Sequence, residues 1–259
     1  MTVYLGNAWS DERGKSKGGE SGNQNGKELR IVKWYKTDGK PWRVFRPKNL
    51  DVAEKLAYAM ESACANKHIG YDQNKPDRTS LYDAAKPYGF DPKKVEVDCE
   101  CDCSSLVQVC CAYAGIKLST FSTSSEPDKL MKSKKFDEMI GDEFSYSPDY
   151  LLRGDILVKT GHTAIVLSNG SKALEDKKED IKSEGFIFSR ILKYGCKGED
   201  VKELKRLLFL AGYSGLTLTN QNYKSKTVAV VKRYQKDHGL AVDGKAGPKT
   251  ILSLGGNYI

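Results

Sequence analysis

The sequence predicts an α+β domain over residues 1–190 and a small all-α domain over residues 191–259. Two observations carry the first half. Short runs rich in strand-forming residues lie at 29–35, 42–45 and 156–168, and apolar positions at helical spacing lie at 49–64 and 103–114. One observation carries the second half. Beyond residue 191 the apolar residues keep a helical period, and glycines punctuate the segments.

Taken in order, residues 1–27 are polar and hold six glycines, which predicts an arm with little core of its own. Leu29–Tyr35 and Trp42–Phe45 read as strands separated by a turn at Thr37–Pro41, their aromatics more naturally core than ligand platform. Asn49 is a good helix cap, and Ala53, Leu56, Ala57, Met60, Ala63 and Cys64 follow it on one stripe. A polar loop, Tyr71–Arg78, precedes an acidic stretch that leads into a helix at 103–114, with Gly115 as its stop. Residues 119–149 read as a long loop with one short helix near 128–140. Arg153-Gly154-Asp155 is a turn, Ile156–Lys159 a strand, and Thr163–Ser168 the next strand, opened by Gly161-His162. Asn169-Gly170 then predicts a hairpin with a return strand through Ala173-Leu174-Glu175.

Composition narrows the functional class. With 39% hydrophobic and 29% charged residues the chain is of globular type, and no run of 18 apolar residues exists to span a membrane. The N-terminus lacks a basic region followed by a long apolar core, so no secretory signal peptide and synthesis in the cytosol are expected. The net charge is +8, and residues 191–259 hold 12 Lys and Arg against 5 Asp and Glu, so an anionic polymer would be met by the tail. The seven cysteines are odd in number and not spaced as a disulfide framework, which predicts free thiols. Zinc on Cys99, Cys101 and Cys103 would ask for C-x2-C pairs, and calcium on Asp98, Glu100 and Asp102 for more ligands and a sharp glycine. A solvated acidic loop and no cofactor are expected.

The chemistry gathers on Cys103. Asp102 can cap the helix that follows, and Cys103 would sit in its first turn, where unpaired N–H groups favour a thiolate. His162 lies at the mouth of a strand. If Asn169-Gly170 is a two-residue turn, Glu175 falls opposite Ala164 and diagonal to His162 on the same face, placed to orient the imidazole. A bulge would bring Asp176 there instead. Cys103 as nucleophile, His162 as base and Glu175 as orienter make a thiol-hydrolase constellation, with helix N–H groups for an oxyanion.

The residues Asp102-Cys103-Ser104-Ser105-Leu106-Val107, closing at Tyr113-Ala114-Gly115-Ile116, resemble the D-C-S-G-L-V…G-I signature of NlpC/P60 peptidoglycan hydrolases. Leu152–Leu157 resembles that family's P-G-D-L segment, and Gly161–Gly170 its G-H-V-G-I-Y-x-G-N-G histidine strand. The resemblance implies a papain-like catalytic domain, with Cys103 and His162 catalytic and Tyr71, Asp102, Ser104 and Gly161 against the substrate. The related CHAP hydrolases use the same residue types. Ser105 stands where the signature has glycine, and a rigid count puts the third catalytic position on Leu174.

The tail resembles the three-helix peptidoglycan-binding domain found beside lytic enzymes. Leu192-Lys193-Tyr194-Gly195-Cys196-Lys197-Gly198-Glu199-Asp200-Val201 and Gly239-Leu240-Ala241-Val242-Asp243-Gly244-Lys245-Ala246-Gly247-Pro248-Lys249-Thr250 carry that likeness, while Asn220–Lys224 replaces the usual D-G-x-F-G turn. Together these imply a phage endolysin-like, monomeric cell-wall hydrolase. Its partner would be bacterial peptidoglycan, with no nucleic acid and no membrane insertion, and it would act on the wall after release from the host cytoplasm. The implied bond is D-Glu–diaminopimelate. The rivals are an N-acetylmuramoyl-L-alanine amidase, a catalytically dead wall-binding protein and a cytosolic thiol protease.

Overall fold

Asn49 does what its position predicts. Its Oδ1 accepts from the N–H groups of Asp51 and Val52 and starts helix α1, Leu50–Ala65. The buried stripe Ala53, Leu56, Ala57, Met60 and Ala63 seats that helix on a sheet. This computed structural model describes residues 2–37, 39–173, 186–213, 215–218 and 220–259. The chain divides into two units, 1–171 and 172–259.

The first unit is built on β1 (Tyr4–Ala8), β2 (Leu29–Lys33), β3 (Arg43–Pro47), β6 (Phe136–Met139), β7 (Ile156–Lys159) and β8 (His162–Val166). They form one antiparallel sheet in the order β2-β1-β8-β7-β3-β6. The helices α1 and α3 (Cys103–Tyr113) cover one face. There Phe45, Leu56, Met60, Leu106, Val107, Cys110 and Ile165 form the main core. A smaller core on the other face gathers Val3, Leu5, Trp42, Val44, Leu157, Ala164 and Val166. A side sheet of β4 (Ile69–Tyr71) and β5 (Cys99–Cys101) runs parallel and delivers the chain to α3. Short helices α2 (Ser80–Ala85), α4 (Glu126–Lys132) and α5 (Asp142–Ser145) complete the unit.

Three expectations are corrected. The N-terminal arm contains β1, hydrogen-bonded between β2 and β8 and buried from Leu5 to Ala8. Only five residues long, it carries too few apolar side chains to show a period, and its glycine serves packing. A Cβ on Gly6 would meet Met60 Cγ at 2.3 Å. The long loop 119–149 holds strand β6 and two short helices in place of one helix near 128–140.

Asn169-Gly170 is no hairpin turn, because β7 and β1 already take both edges of β8. Gly170 instead donates its N–H to Leu151 O, and a Cβ there would fall 2.1 Å from Pro148 O. The hairpin lies one turn earlier, where Lys159 pairs with His162 across Thr160-Gly161 and Gly161 has φ +83°. Leu174, Glu175 and Asp176 lie outside the described residues.

The turn Arg153-Gly154-Asp155 is a buried ionic joint. Arg153, 3% exposed, donates to Glu54 at 2.8 Å, to Glu61 at 2.6 Å and to Leu167 O. Asp155 receives Arg46 at 2.7 Å. Replacing Arg153 with Met strands the buried Glu54 carboxylate. A loss of about 3–5 kcal/mol is expected, read as a fall in Tm of about 10 °C. An unchanged melt would remove the joint from the account of stability.

In the second unit, α6 (Glu199–Leu210), α7 (Ser225–Asp237) and α8 (Pro248–Ser253) pack Leu204, Leu208, Val231, Tyr234 and Ile251 together. Strands β9 (Ile187–Phe188) and β10 (Asn257–Tyr258) pair in parallel. Two buried polar residues tie the loops to this core. Gln235 donates to Asp243 Oδ1 and Lys245 O and accepts from Gly244 N–H. Lys205, 2% exposed, donates to Asn220 Oδ1 at 2.6 Å and to Asn220 O at 3.0 Å, which anchors the turn that departs from the usual sequence.

Candidate active site

Helix α3 begins where the sequence predicts, and its cap explains the residue that departs from the signature. Asp102 Oδ1 accepts from Ser105 N–H at 2.7 Å while Ser105 Oγ accepts from Asp102 N–H at 2.8 Å. This reciprocal capping box gives the serine a structural use that glycine lacks. Arg78 secures the arrangement. Its Nε lies 2.8 Å from Asp102 Oδ2, and its Nη2 donates to Ser104 Oγ and Phe121 O. Cys103 is thereby held in the first turn of α3.

The second residue, His162, opens strand β8. Backbone N–H groups of Thr163 and Ser104 face the Cys103 sulfur, so the sulfur lies against the start of β8, the strand whose first residue is His162. The Tyr35 hydroxyl is pushed up to about 12, chiefly by burial and in part by Cys103. Tyr35 packs edge-on against Trp9 and Trp42, and both indoles meet the His162 ring, with centroids 5.1 Å and 6.2 Å away. Arg30 lies over Trp9 at 4.2 Å, and Lys159 over Trp42 at 5.5 Å.

Electrostatics here depart from the sequence expectation of a thiolate. Burial, and then the Asp102 carboxylate, push the Cys103 thiol from 9.0 up to about 12. That is ~4 kcal/mol against the thiolate, whereas a helix N-terminus returns at most ~2 kcal/mol. Burial, followed by Lys159 and Arg30, takes His162 from 6.5 down to about 4. The resting pair is therefore a neutral thiol and a neutral imidazole.

The expected substrate contacts are mostly spent inside the protein. Tyr71 is 3% exposed, its hydroxyl accepts from Gln73, and Cys103 is among the groups that hold it protonated. Asp102 and Ser104 serve the cap. Gly161 sits at the hairpin tip with its N–H on Thr123 Oγ1. The acidic loop is not the solvated loop expected. Glu100 is 4% exposed and pushed up to about 8 by burial and then by Glu28 and Asp72, while Asp98 alone reaches out to His68. Cys99 and Cys101 are buried, with their sulfurs toward the carbonyls of His68 and Gly70. All seven cysteines are free thiols. Among the described residues no group of three or more His, Cys, Asp or Glu is arranged to hold a metal ion, and no helix is long and apolar enough to cross a membrane.

Beneath the site lies a residue that sequence reasoning missed. Glu126 is fully buried, and Thr163 Oγ1 lies 2.9 Å from its Oε1 and 3.0 Å from Leu157 O. The Thr163 hydroxyl donates toward Leu157 O and toward the carboxyl of Glu126. Burial raises the Glu126 pKa well above 4.5, against the hydrogen bond from Thr163, which lowers it. A raised carboxyl stabilises the fold fully below its unfolded pKa and loses that contribution as pH rises toward the folded value. Glu126→Gln is therefore expected to gain on the wild type above pH 4.5, by up to ~1.4 kcal/mol per pH unit. Thermal melts across pH 4.5–8 check this, and a constant difference would contradict it.

Comparison with known proteins adds the family. Residues 5–173 match the endolysin-like domain, and residues 197–254 match a peptidoglycan binding domain. An 85-residue stretch, 32% of the chain, is 40% identical to N-acetylmuramoyl-L-alanine amidase CwlL of Bacillus licheniformis. The stretch spans only 22% of that relative's length. Among solved structures, a peptidoglycan-binding protein from Clostridioides difficile, in complex with glutamine hydroxamate, aligns over 69% of this chain and 87% of its own. The identity is 17% and the TM-score 0.24, too low to bear on the fold.

Proposed function

The chain belongs to the endolysin-like domain family, and from that membership we propose that it hydrolyses bacterial peptidoglycan, cutting an amide bond of the peptide stem with Cys103. One observation carries the reading. A cysteine held at a helix N-terminus has its sulfur against the strand that begins with His162. The D-C-S and G-H motifs, shared with NlpC/P60 enzymes, support the same roles.

The neutral resting pair defines the chemistry. His162 removes the thiol proton as the sulfur attacks the amide carbon, so charge develops only as the bond forms. N–H groups at the start of α3 receive the oxyanion. The imidazolium then protonates the departing amine, leaving a thioester on Cys103. Water, deprotonated by His162, releases the acid and restores the thiol. Residues 197–254 supply wall affinity, with the basic excess of the tail favouring an anionic polymer.

The bond we favour is D-Glu–diaminopimelate, on the strength of the motifs. The N-acetylmuramoyl-L-alanine bond is the second reading, favoured by the 40% identical stretch of the amidase. Mass spectrometry of purified walls after digestion tests both. New diaminopimelate N-termini support the first bond. Alanine N-termini with intact glycan replace it with the second, and unchanged walls overturn hydrolysis.

A further inference from the structure

Two cations at the candidate site have no part in the chemistry derived above. Lys159 pairs with His162 across the β7–β8 hairpin, so the two side chains share a face of the sheet. The Lys159 Nζ lies 5.5 Å from the centre of the Trp42 ring, and the Arg30 guanidinium lies 4.2 Å from that of Trp9. These are the two indoles that meet the His162 ring. Neither cation forms an ion pair with an acidic side chain among the described residues.

Positive charge in this place works against catalysis. Lys159 and Arg30 both oppose protonation of His162, the state through which the proposed mechanism passes. The other titratable groups at the site, Tyr35 and Cys103, are held uncharged by burial and offset nothing. Two donors are also idle. Arg30 Nε and the Tyr35 hydroxyl are shielded from water, yet neither has a hydrogen-bond partner. Arg30 and Cys103 both act on the Tyr35 hydroxyl, which puts it near the sulfur as well as the guanidinium. Unpaired donors beside two unpaired cations call for an anion with more than one acceptor oxygen.

This inference rests on the proposed roles of Cys103 and His162. We propose that Arg30 and Lys159 bind a free carboxylate of the substrate beside the scissile amide, with the Tyr35 hydroxyl as a further donor. The favoured bond supplies such a group, because a glutamyl residue that uses one carboxyl in the amide keeps the other. Arg30 offers a planar fork to two oxygens, and Lys159 a point charge. Trp9 is 43% exposed, so solvent reaches the Arg30 side of the site. Once seated, the carboxylate offsets both cations, and the imidazolium forms more readily in the complex than in the free protein. A neutral amide in the same place leaves the cations unopposed.

Two soluble stem peptides test the proposal, identical except that the free glutamyl carboxylate of one is an amide in the other. The wild type is expected to cleave the acid peptide with kcat/KM about 10²-fold higher. Arg30→Gln is expected to lower kcat/KM by about 10–100-fold on the acid peptide and by less than about threefold on the amide peptide. Lys159→Met is expected to show the same pattern at about 10-fold. Equal rates of the wild type on the two peptides, or a preference for the acid that Arg30→Gln keeps in full, overturns the inference. The parent reading fails by a different result, namely cleavage that survives Cys103→Ala. The comparison of the two peptides needs only the wild type, so it decides even if a variant folds poorly.

Discussion

Replacing Cys103 with alanine is expected to reduce wall clearing by about 10⁴-fold or more while leaving a cooperative melt. The size of the effect follows from the role, since without the sulfur no thioester forms and only binding and polarisation of the amide remain. No neighbour is placed to substitute. Ser104 Oγ donates to Asp102 and receives Arg78, and Cys99 and Cys101 point their sulfurs at backbone carbonyls. The fold is expected to lose little, because Asp102, Ser105 and Arg78 form the cap without the Cys103 side chain. Cys103→Ser is expected to fall almost as far, since an alcohol gives up its proton less readily than a thiol. Turbidity of a purified wall suspension against enzyme concentration measures both variants. Equal clearing by wild type and Cys103→Ala would contradict the role.

The next largest effect is expected at His162. His162→Gln removes the base and should lower kcat by about 10³-fold. It should also change how stability depends on pH. The folded pKa of about 4 lies below the unfolded 6.5, because burial, Lys159 and Arg30 oppose the charge. A depressed histidine stabilises the fold fully above its unfolded pKa and loses that contribution as pH falls through the folded one. The wild type should thus lose about 3 kcal/mol between pH 6.5 and 4 that His162→Gln does not lose. In kinetics the same values predict an acid limb near pH 4 and no alkaline limb from the thiol below pH 12. Chemical denaturation at pH 7 and pH 4.5 reads the first, and a parallel loss in both proteins would contradict it.

What the sequence made legible was local. Asn49 and Asp102 announce their helices because a cap and an apolar stripe are read within one turn. The pairing of Lys159 with His162 across Thr160-Gly161 was within reach on the same terms, yet Asn169-Gly170 carries the stronger local signal and is used for packing against Pro148 and Leu151. What stayed hidden was which strand lies beside β8. β1 comes from a glycine-rich, polar stretch and reaches its place only through pairing with strands far along the chain, which no local period records. Tyr35 and Trp42 read as ordinary core aromatics, and Trp9 as part of a polar arm, until the sheet sets them around His162. The protonation state of Cys103 was hidden for a related reason. The helix N-terminus is visible in sequence, but the burial that outweighs it comes from tertiary packing.

On the proposed mechanism Cys103 carries the acyl group of the substrate during the reaction. Trapping that species tests it most directly. Wall fragments mixed with the protein are quenched in acid within the first turnovers, and peptide mapping by mass spectrometry locates any added mass. A stem-peptide acyl group is expected on the peptide that holds Cys103 and on no other cysteine, absent in Cys103→Ala. An acyl group on another residue, or full hydrolysis with Cys103 replaced, would contradict it.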